Sequence, residues 1–258
     1  MSEAPTPVPA ATILMLRDGP DGLETFMVVR HHQIDFASGA LVFPGGKVDQ
    51  GDFDVRDYCH GVDHSDDTTV GLMAGALREA FEECGILLAR PAVSEELISG
   101  ERLKALTPYR DRLHKGEISL ADFLKQEALI LACDKLQHFA HWITPDMMPK
   151  RFDTHFYLAA APADHLALHD GHESVDSVWI SPADAMAGAK DKTYTIIFPT
   201  MMNIEMLGES RSVDEAMQMA AQRNIVTVLP VVEQREDGNY LCIPADAGYS
   251  VVEQKMPR

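Results

Sequence analysis

Three glutamates packed into one short segment, Glu79, Glu82 and Glu83, constrain this chain more than anything else in it. They belong to Arg78-Glu79-Ala80-Phe81-Glu82-Glu83-Cys84-Gly85-Ile86. The stretch Thr68 to Cys84 reads as a helix, with Asp67 or Thr68 as N-cap and Gly85 as its stop. Leu77, Ala80, Phe81 and Cys84 form an apolar stripe along it. On such a helix the glutamates stand at i, i+3 and i+4, so their carboxylates are expected to converge on one face. Like charges that close are costly unless cations sit among them. Oxygen ligands on a rigid helix suit Mg²⁺ or Mn²⁺, which also hold phosphate oxygens. Arg78, four residues before Glu82, is placed to pair with it and fix its rotamer. An acidic helix face alone is commonplace. This one is preceded by Phe43-Pro44-Gly45-Gly46-Lys47, a tight turn at which the backbone can approach a phosphate or a metal.

The rest of the chain alternates strand and helix signals. Ala10–Leu16 and Leu23–Arg30 read as strands joined by a Gly/Pro/Asp turn, followed by a short apolar run, Ala40–Phe43. Helices are expected over 94–106 and 119–129, within a polar helical insertion spanning about 91–130. Gln137–Ile143 and Arg151–Ala160 read as strands, and period two puts Arg151, Asp153 and His155 on one face of the second. Val178–Ile180 is a further strand, and Ser181-Pro182 starts a helix. Helices over 198–207 and 212–223 follow, and Glu236-Asp237-Gly238-Asn239 signals a terminal hairpin. The mixture predicts an α/β class.

Acids outnumber bases, 40 to 22, for a formal net charge of −18. A field of that sign repels polyanions, so nucleic acid is set aside as a partner. A small anion held through divalent cations remains compatible. Cys59, Cys84, Cys133 and Cys242 form no CxxC pair, which points away from a disulfide scaffold or zinc ribbon. No apolar run reaches the ~20 residues of a membrane helix. The opening residues do not read as a secretory signal, nor the last four as a peroxisomal address, and a cytoplasmic protein is expected.

Gly46, Asp52 after five intervening residues, and the segment Arg78 to Ile86 together resemble the Nudix box, G-x₅-E-x₇-R-E-U-x-E-E-x-G-U with U apolar. Every defined position of its helical half matches. Asp52 replaces the first Glu, and the 25 residues from Phe53 to Leu77 stand where the family has 7, an insertion of roughly 53–70 within a box running 46–86. The resemblance implies a Nudix α/β/α sandwich with a mixed sheet over residues 10–190. A helical C-terminal extension over 191–258 is expected to end in the hairpin. It implies hydrolysis of the pyrophosphate bond of a nucleoside diphosphate linked to another group, with Mg²⁺ or Mn²⁺ as cofactor. By position, Glu79, Glu82 and Glu83 would hold metal, with the carbonyl of Gly45 or Gly46 as a further ligand. Glu79 or Glu82 would handle the attacking water, and Arg78 would orient them. Glu173 is the candidate for an additional carboxylate outside the box.

Arg30 and Gly39 before FPGGKVD, the His141-Trp142-Ile143-Thr144-Pro145 segment and Arg151-Phe152-Asp153-Thr154 resemble the coenzyme A diphosphatase branch, although Asp35 stands where its second basic residue would. Coenzyme A or an acyl-CoA is therefore the leading expected substrate, with Arg30, Gly45 and Arg151 as substrate-binding candidates. ADP-ribose, NADH or a dinucleotide is the alternative, and a non-catalytic nucleotide-binding module of the same fold is the competing class. The C-terminal helices, as an interaction platform or homodimer interface, are compatible with either.

Overall fold

Strand β1 (Val8–Gly19) alternates cleanly, with Ala11, Ile13 and Met15 buried on one side and Leu14 and Leu16 on the other. A strand buried on both faces needs a layer against each. The structure is a computed structural model that describes residues 4–30, 40–165 and 174–256, and helices form both layers. A two-residue turn leads from β1 into antiparallel β2 (Gly22–Arg30), with Gly19 opposite Gly22. Two short strands, β3 (Leu41–Val42) and β4 (Gly45–Lys47), add to β2 and β1. Helix α1 (Gln50–Phe53), strand β5 (Cys59–His60) and helix α2 (Asp67–Glu79) follow, the last capped by Asp66, whose side chain accepts from the Thr69 N–H.

After α2 come β6 (Ala89–Pro91) and three short helices, α3 (Gly100–Leu106), α4 (Pro108–His114) and α5 (Leu120–Gln126). Strand β7 (Leu129–Ala132) precedes the antiparallel pair β8 (Gln137–Ile143) and β9 (Phe152–Ala160). Strand β10 (Ser174–Ile180) leads to α6 (Pro182–Lys190), α7 (Phe198–Leu207) and α8 (Val213–Gln222). Strands β11 (Thr227–Val228), β12 (Val231–Arg235), β13 (Gly238–Cys242) and β14 (Glu253–Lys255) finish the described chain.

The main sheet runs β10-β2-β1-β9-β8-β11, with β3 and β4 as side pairs. It is mixed: β1 is parallel to β9 and β11 to β8, and the other pairs are antiparallel. Helix α2 and the 91–130 helices cover the face of Ala11, Ile13 and Tyr157, and α6 to α8 cover the face of Leu14, Leu16 and Leu158. This is the α/β/α sandwich with a mixed sheet that the Nudix resemblance implies. The terminal hairpin forms as its turn residues predict, with Arg235 opposite Gly238.

Two details depart from expectation. The region 53–70 feeds Val55, Val62 and Val70 into the core, and β5 pairs with β7, which also pairs β6. It braces the outer side of α2. Helix α4 lies where no helix was expected, and α3 begins at Gly100, six residues later than its pattern suggested, after a Ser99 cap. No described helix is long and apolar enough to cross a membrane.

Candidate active site

Small residues set the geometry. Gly45 and Gly46 in β4 pair with Thr12 and Ala11 of β1, beside α2. A Cβ on Gly46 would lie 2.6 Å from Glu79 Oε1, so only glycine lets the backbone sit this close to that carboxylate. Gly71 and Gly75 open the side of α2 for Phe53 and Asp52 of α1, with ideal Cβ positions 3.0 Å or less from those side chains. Asp52 thereby reaches the box across the 25 intervening residues, despite its short side chain.

Arg78 is the hub. Its Nε donates to Asp52 Oδ1 at 2.8 Å and its Nη2 to Asp52 Oδ2 at 3.0 Å, a bidentate pair between buried side chains. Nη2 also donates to the Lys47 carbonyl at 2.9 Å, and Nη1 reaches Glu79 Oε1 at 3.0 Å and Glu82 Oε1 at 3.3 Å. Burial alone would lower the guanidinium's pKa, but the hydrogen bond to Asp52 and the charges of Glu79, Asp52 and Glu82 raise it. The predicted Arg78–Glu82 pairing is present, but Asp52 takes the stronger hold.

The helix changes pitch where the other glutamates sit. Residues Ala80–Cys84 form a π-helical turn, which Gly85 closes in the left-handed conformation at φ 69°. Such wide turns concentrate at functional sites. Burial pushes the Glu82 carboxyl above its ordinary pKa, against the opposing pull of Arg78. Glu83 Oε2 accepts from the Gly45 N–H at 2.9 Å, which ties the end of the helix to the glycine turn. The three carboxylates are less tightly gathered than the spacing predicts. Arg78 Nη1 stands between Glu79 and Glu82, and the one trio of potential ligand atoms within 4.8 Å among the described residues lies elsewhere.

Helix α4, which the sequence reading missed, completes the site. Arg110 donates from Nε and Nη2 to the Glu82 carbonyl and from Nη2 to the Glu83 carbonyl, at 2.9–3.1 Å. It satisfies carbonyls left open where the helix ends. One turn on, His114 Nδ1 lies 3.7 Å from Glu82 Oε2. Pro108 at the first helical position is the signal that marks this helix.

Gly45, Gly46, Arg78, Glu79, Glu82 and His114 all line one cleft of about 900 Å³. Its other walls are largely apolar: Trp142 and Ile143 from β8, Phe152 and Phe156 from β9, Ile197 before α7 and Leu241 from β13. Trp142 Nε1 donates to the Tyr249 hydroxyl, which in turn donates to Asn203 Oδ1, both at 2.8 Å. The C-terminal segment is thus stitched to the cleft floor.

The donor set fits an oxygen-liganded divalent ion. Three carboxylates, Asp52, Glu79 and Glu82, meet the Arg78 guanidinium, Asp52 occupies two of its nitrogens, and Glu83 adds a fourth carboxylate held by the Gly45 N–H. The cleft reaches both Glu79 and Glu82, so a cation has access to them.

The remaining candidates fare differently. Arg151 is engaged elsewhere: Nε donates to the Thr144 carbonyl, Nη1 to the Pro5 carbonyl, and Nη2 pairs with Asp146 at 2.6 Å. It clamps the β8–β9 connection and does not line the cleft. Arg30 ends β2 opposite Ser174. Gly39, Asp35 and Glu173 lie outside the described residues. None of residues 53–70 lines the cleft, so this insertion is no lid over it.

The family model of the NUDT19 Nudix domain matches residues 62–207. The acyl-coenzyme A diphosphatase NUDT19 of Xenopus laevis is 23% identical over 270 residues, covering 88% of this chain and 71% of that protein. The protein of the same name from Homo sapiens is 27% identical over 207 residues, covering 72% of this chain and 54% of its own. The crystal structure of a Nudix hydrolase from Alicyclobacillus acidocaldarius superposes with a TM-score of 0.70 at 25% identity, covering 83% of this chain and 96% of that one. With the box, the sandwich and more than half of the chain matched, this protein belongs to the NUDT19 Nudix-domain family and is a Nudix pyrophosphohydrolase.

Proposed function

We propose that the protein hydrolyses the pyrophosphate bond of coenzyme A or an acyl-CoA, using the carboxylates of Glu79, Glu82 and Glu83 and the Gly46 carbonyl to hold Mg²⁺ or Mn²⁺. The observation that carries this reading is a cleft lined by Glu79 and Glu82 beside Gly45 and Gly46 and otherwise walled largely by apolar side chains. The names of the vertebrate relatives supply the acyl-CoA class. A substrate with a charged diphosphate at one end and an apolar thioester chain at the other matches that combination of carboxylates and apolar walls.

When bound, the divalent ions would offset the charge of the diphosphate and activate water. The chain's own groups do the rest. Glu82 accepts the proton of the attacking water, and Glu79 orients that water beside Gly46. Arg78 holds Glu79 and Glu82 in place and is a positioning residue. The bond from phosphorus to the bridging oxygen breaks, and both halves leave as phosphate monoesters. Trp142, Phe152, Phe156 and Leu241 keep water from the acyl chain. Residues 10–190 form the hydrolase unit of this proposal, and 191–258 supply part of the cleft wall. The four free cysteines fit a reducing, cytoplasmic setting.

Purified protein with Mg²⁺ or Mn²⁺ is to be offered CoA, acyl-CoAs of graded length, ADP-ribose, NADH and dinucleotide polyphosphates, with products read by mass. The expected result is two phosphate-ended halves from CoA or acyl-CoA. Preference for ADP-ribose, NADH or a dinucleotide would replace the substrate, and tight binding with no turnover would replace the enzyme with a nucleotide-binding module.

A further inference from the structure

On the opposite face of the sheet from the cleft, three adjacent strands set four polar groups side by side. Thr227 of β11 stands in register with His141 of β8, and His141 in register with His155 of β9. Asp153 lies two residues from His155 and shares its face. The pairing of β8 with β9 slips between His138 and Ala140. Such a bulge re-aims a side chain, and here it brings His138 onto the same face as His141, stacked on His155 with ring centroids 5.0 Å apart.

We propose that His141, Asp153 and His155 form a second divalent-metal site, for Zn²⁺ or a similar nitrogen-seeking ion, separate from the carboxylates of the cleft. One nitrogen of each ring and one Asp153 oxygen lie within 4.8 Å of one another. His141 Nε2 is 2.5 Å from Asp153 Oδ1, and His155 Nε2 is 4.0 Å from the same oxygen. A tetrahedral ion with bonds of about 2.0–2.1 Å sets its ligand atoms about 3.3 Å apart, between those two distances. A small swing of the Asp153 carboxylate, which is 38% exposed, equalises them.

The second set of contacts is what a metal site requires. Ligating histidines need their other ring nitrogen held by a hydrogen bond, which fixes tautomer and ring orientation. His141 Nδ1 lies 2.8 Å from Thr227 Oγ1, and His155 Nδ1 lies 3.0 Å from His138 Nε2. Both rings are therefore oriented from behind, with their Nε2 atoms turned toward the shared carboxylate. Two imidazoles and one carboxylate favour Zn²⁺ over the Mg²⁺ suited to an all-oxygen site. Because the ligands come from β8 and β9, with Thr227 behind them, an ion here would fasten the edge of the sheet that floors the cleft.

The test is calorimetric titration of metal-stripped full-length protein with Zn²⁺ alone, beside Co²⁺ absorption spectra. Wild-type protein and the Glu79→Gln/Glu82→Gln variant are both expected to bind one Zn²⁺ at this site and to give the visible band of tetrahedral Co²⁺. His141→Ala/His155→Ala, made in the Glu79→Gln/Glu82→Gln background, should lose both signals. Asp153→Asn, which keeps the shape of the site should the double variant misfold, should weaken Zn²⁺ at least about 10-fold. Binding that survives both His141→Ala/His155→Ala and Asp153→Asn, binding that disappears in Glu79→Gln/Glu82→Gln, or no saturable Zn²⁺ uptake by wild-type protein would overturn the proposal.

Discussion

Glu82 carries the tension at the heart of the site. It is buried, faces an arginine already committed to Asp52, and has its pKa raised by desolvation. A raised carboxylate pKa means the charged form costs stability in full above the raised value, and that cost fades as pH falls through it toward the ordinary 4.5. Glu82→Gln keeps an oxygen for Arg78 and removes the charge. In EDTA at neutral pH its melting temperature should therefore equal or exceed that of the wild type, with the difference closing as pH falls toward 4.5. Its turnover should fall by more than about 100-fold, since even partners behind metal ligands cost 10- to 100-fold. A stable variant with near-wild-type kcat would remove Glu82 from the chemistry. At this scale the sequence was highly legible, because Arg78, Glu79, Glu82, Glu83 and Gly46 are defined by residue type and spacing. Arg151 was misread for the same reason in reverse: strand period placed its face, but three acceptors around its guanidinium are visible only in three dimensions.

Among the elements, the inserted helices do the unexpected work. Arg110 on α4 holds the carbonyls of Glu82 and Glu83. Arg110→Ala should weaken Mn²⁺ binding by about 10- to 100-fold without loss of helix content, checked by electron paramagnetic resonance and circular dichroism. Unchanged affinity would make α4 a packing helix only. A second brace is the bidentate Arg90–Asp134 pair at 2.6 and 2.7 Å, tying β6 to the turn after β7. The Arg90 hydrogen bond holds the Asp134 carboxyl below its ordinary 3.8, so its stabilisation is present above that value and is lost as pH falls through the lowered one. Asp134→Asn should cost about 1–2 kcal/mol in urea unfolding at pH 7 and progressively less below pH 3.8. Neither brace was readable beforehand. Residues 94–106 pattern as one helix, whereas the chain starts later and turns at Thr107-Pro108 into a new one. The π-helical turn was equally hidden, since an i→i+5 ladder leaves no mark in residue spacing. Deleting one residue there would regularise the ladder but rotate the carboxylates beyond it by about 100°.

For the molecule as a whole, the cleft is assembled from segments far apart in the chain: Ala10, Glu79, His114, Trp142, Ile197 and Leu241 all meet there. The C-terminal strands, read from sequence as a mere extension, supply a wall. Leu241→Asp should raise KM for long-chain acyl-CoA by about 10-fold while moving KM for CoA with a free thiol far less, because only the acyl chain needs an apolar lining. Equal shifts for both would place the chain elsewhere in the cleft. The sandwich and its mixed sheet were legible from strand and helix patterns plus the box, but long-range closure was not, since no local pattern tells Tyr249 to find Trp142 and Asn203. That hydroxyl relay has a temporal implication. A ribosome emitting this chain has finished the box long before Tyr249 leaves the exit tunnel, and until then the indole beneath the cleft has no acceptor. Stalled nascent chains that expose everything up to β11 should be inert, and activity should begin once the segment carrying Tyr249 is exposed.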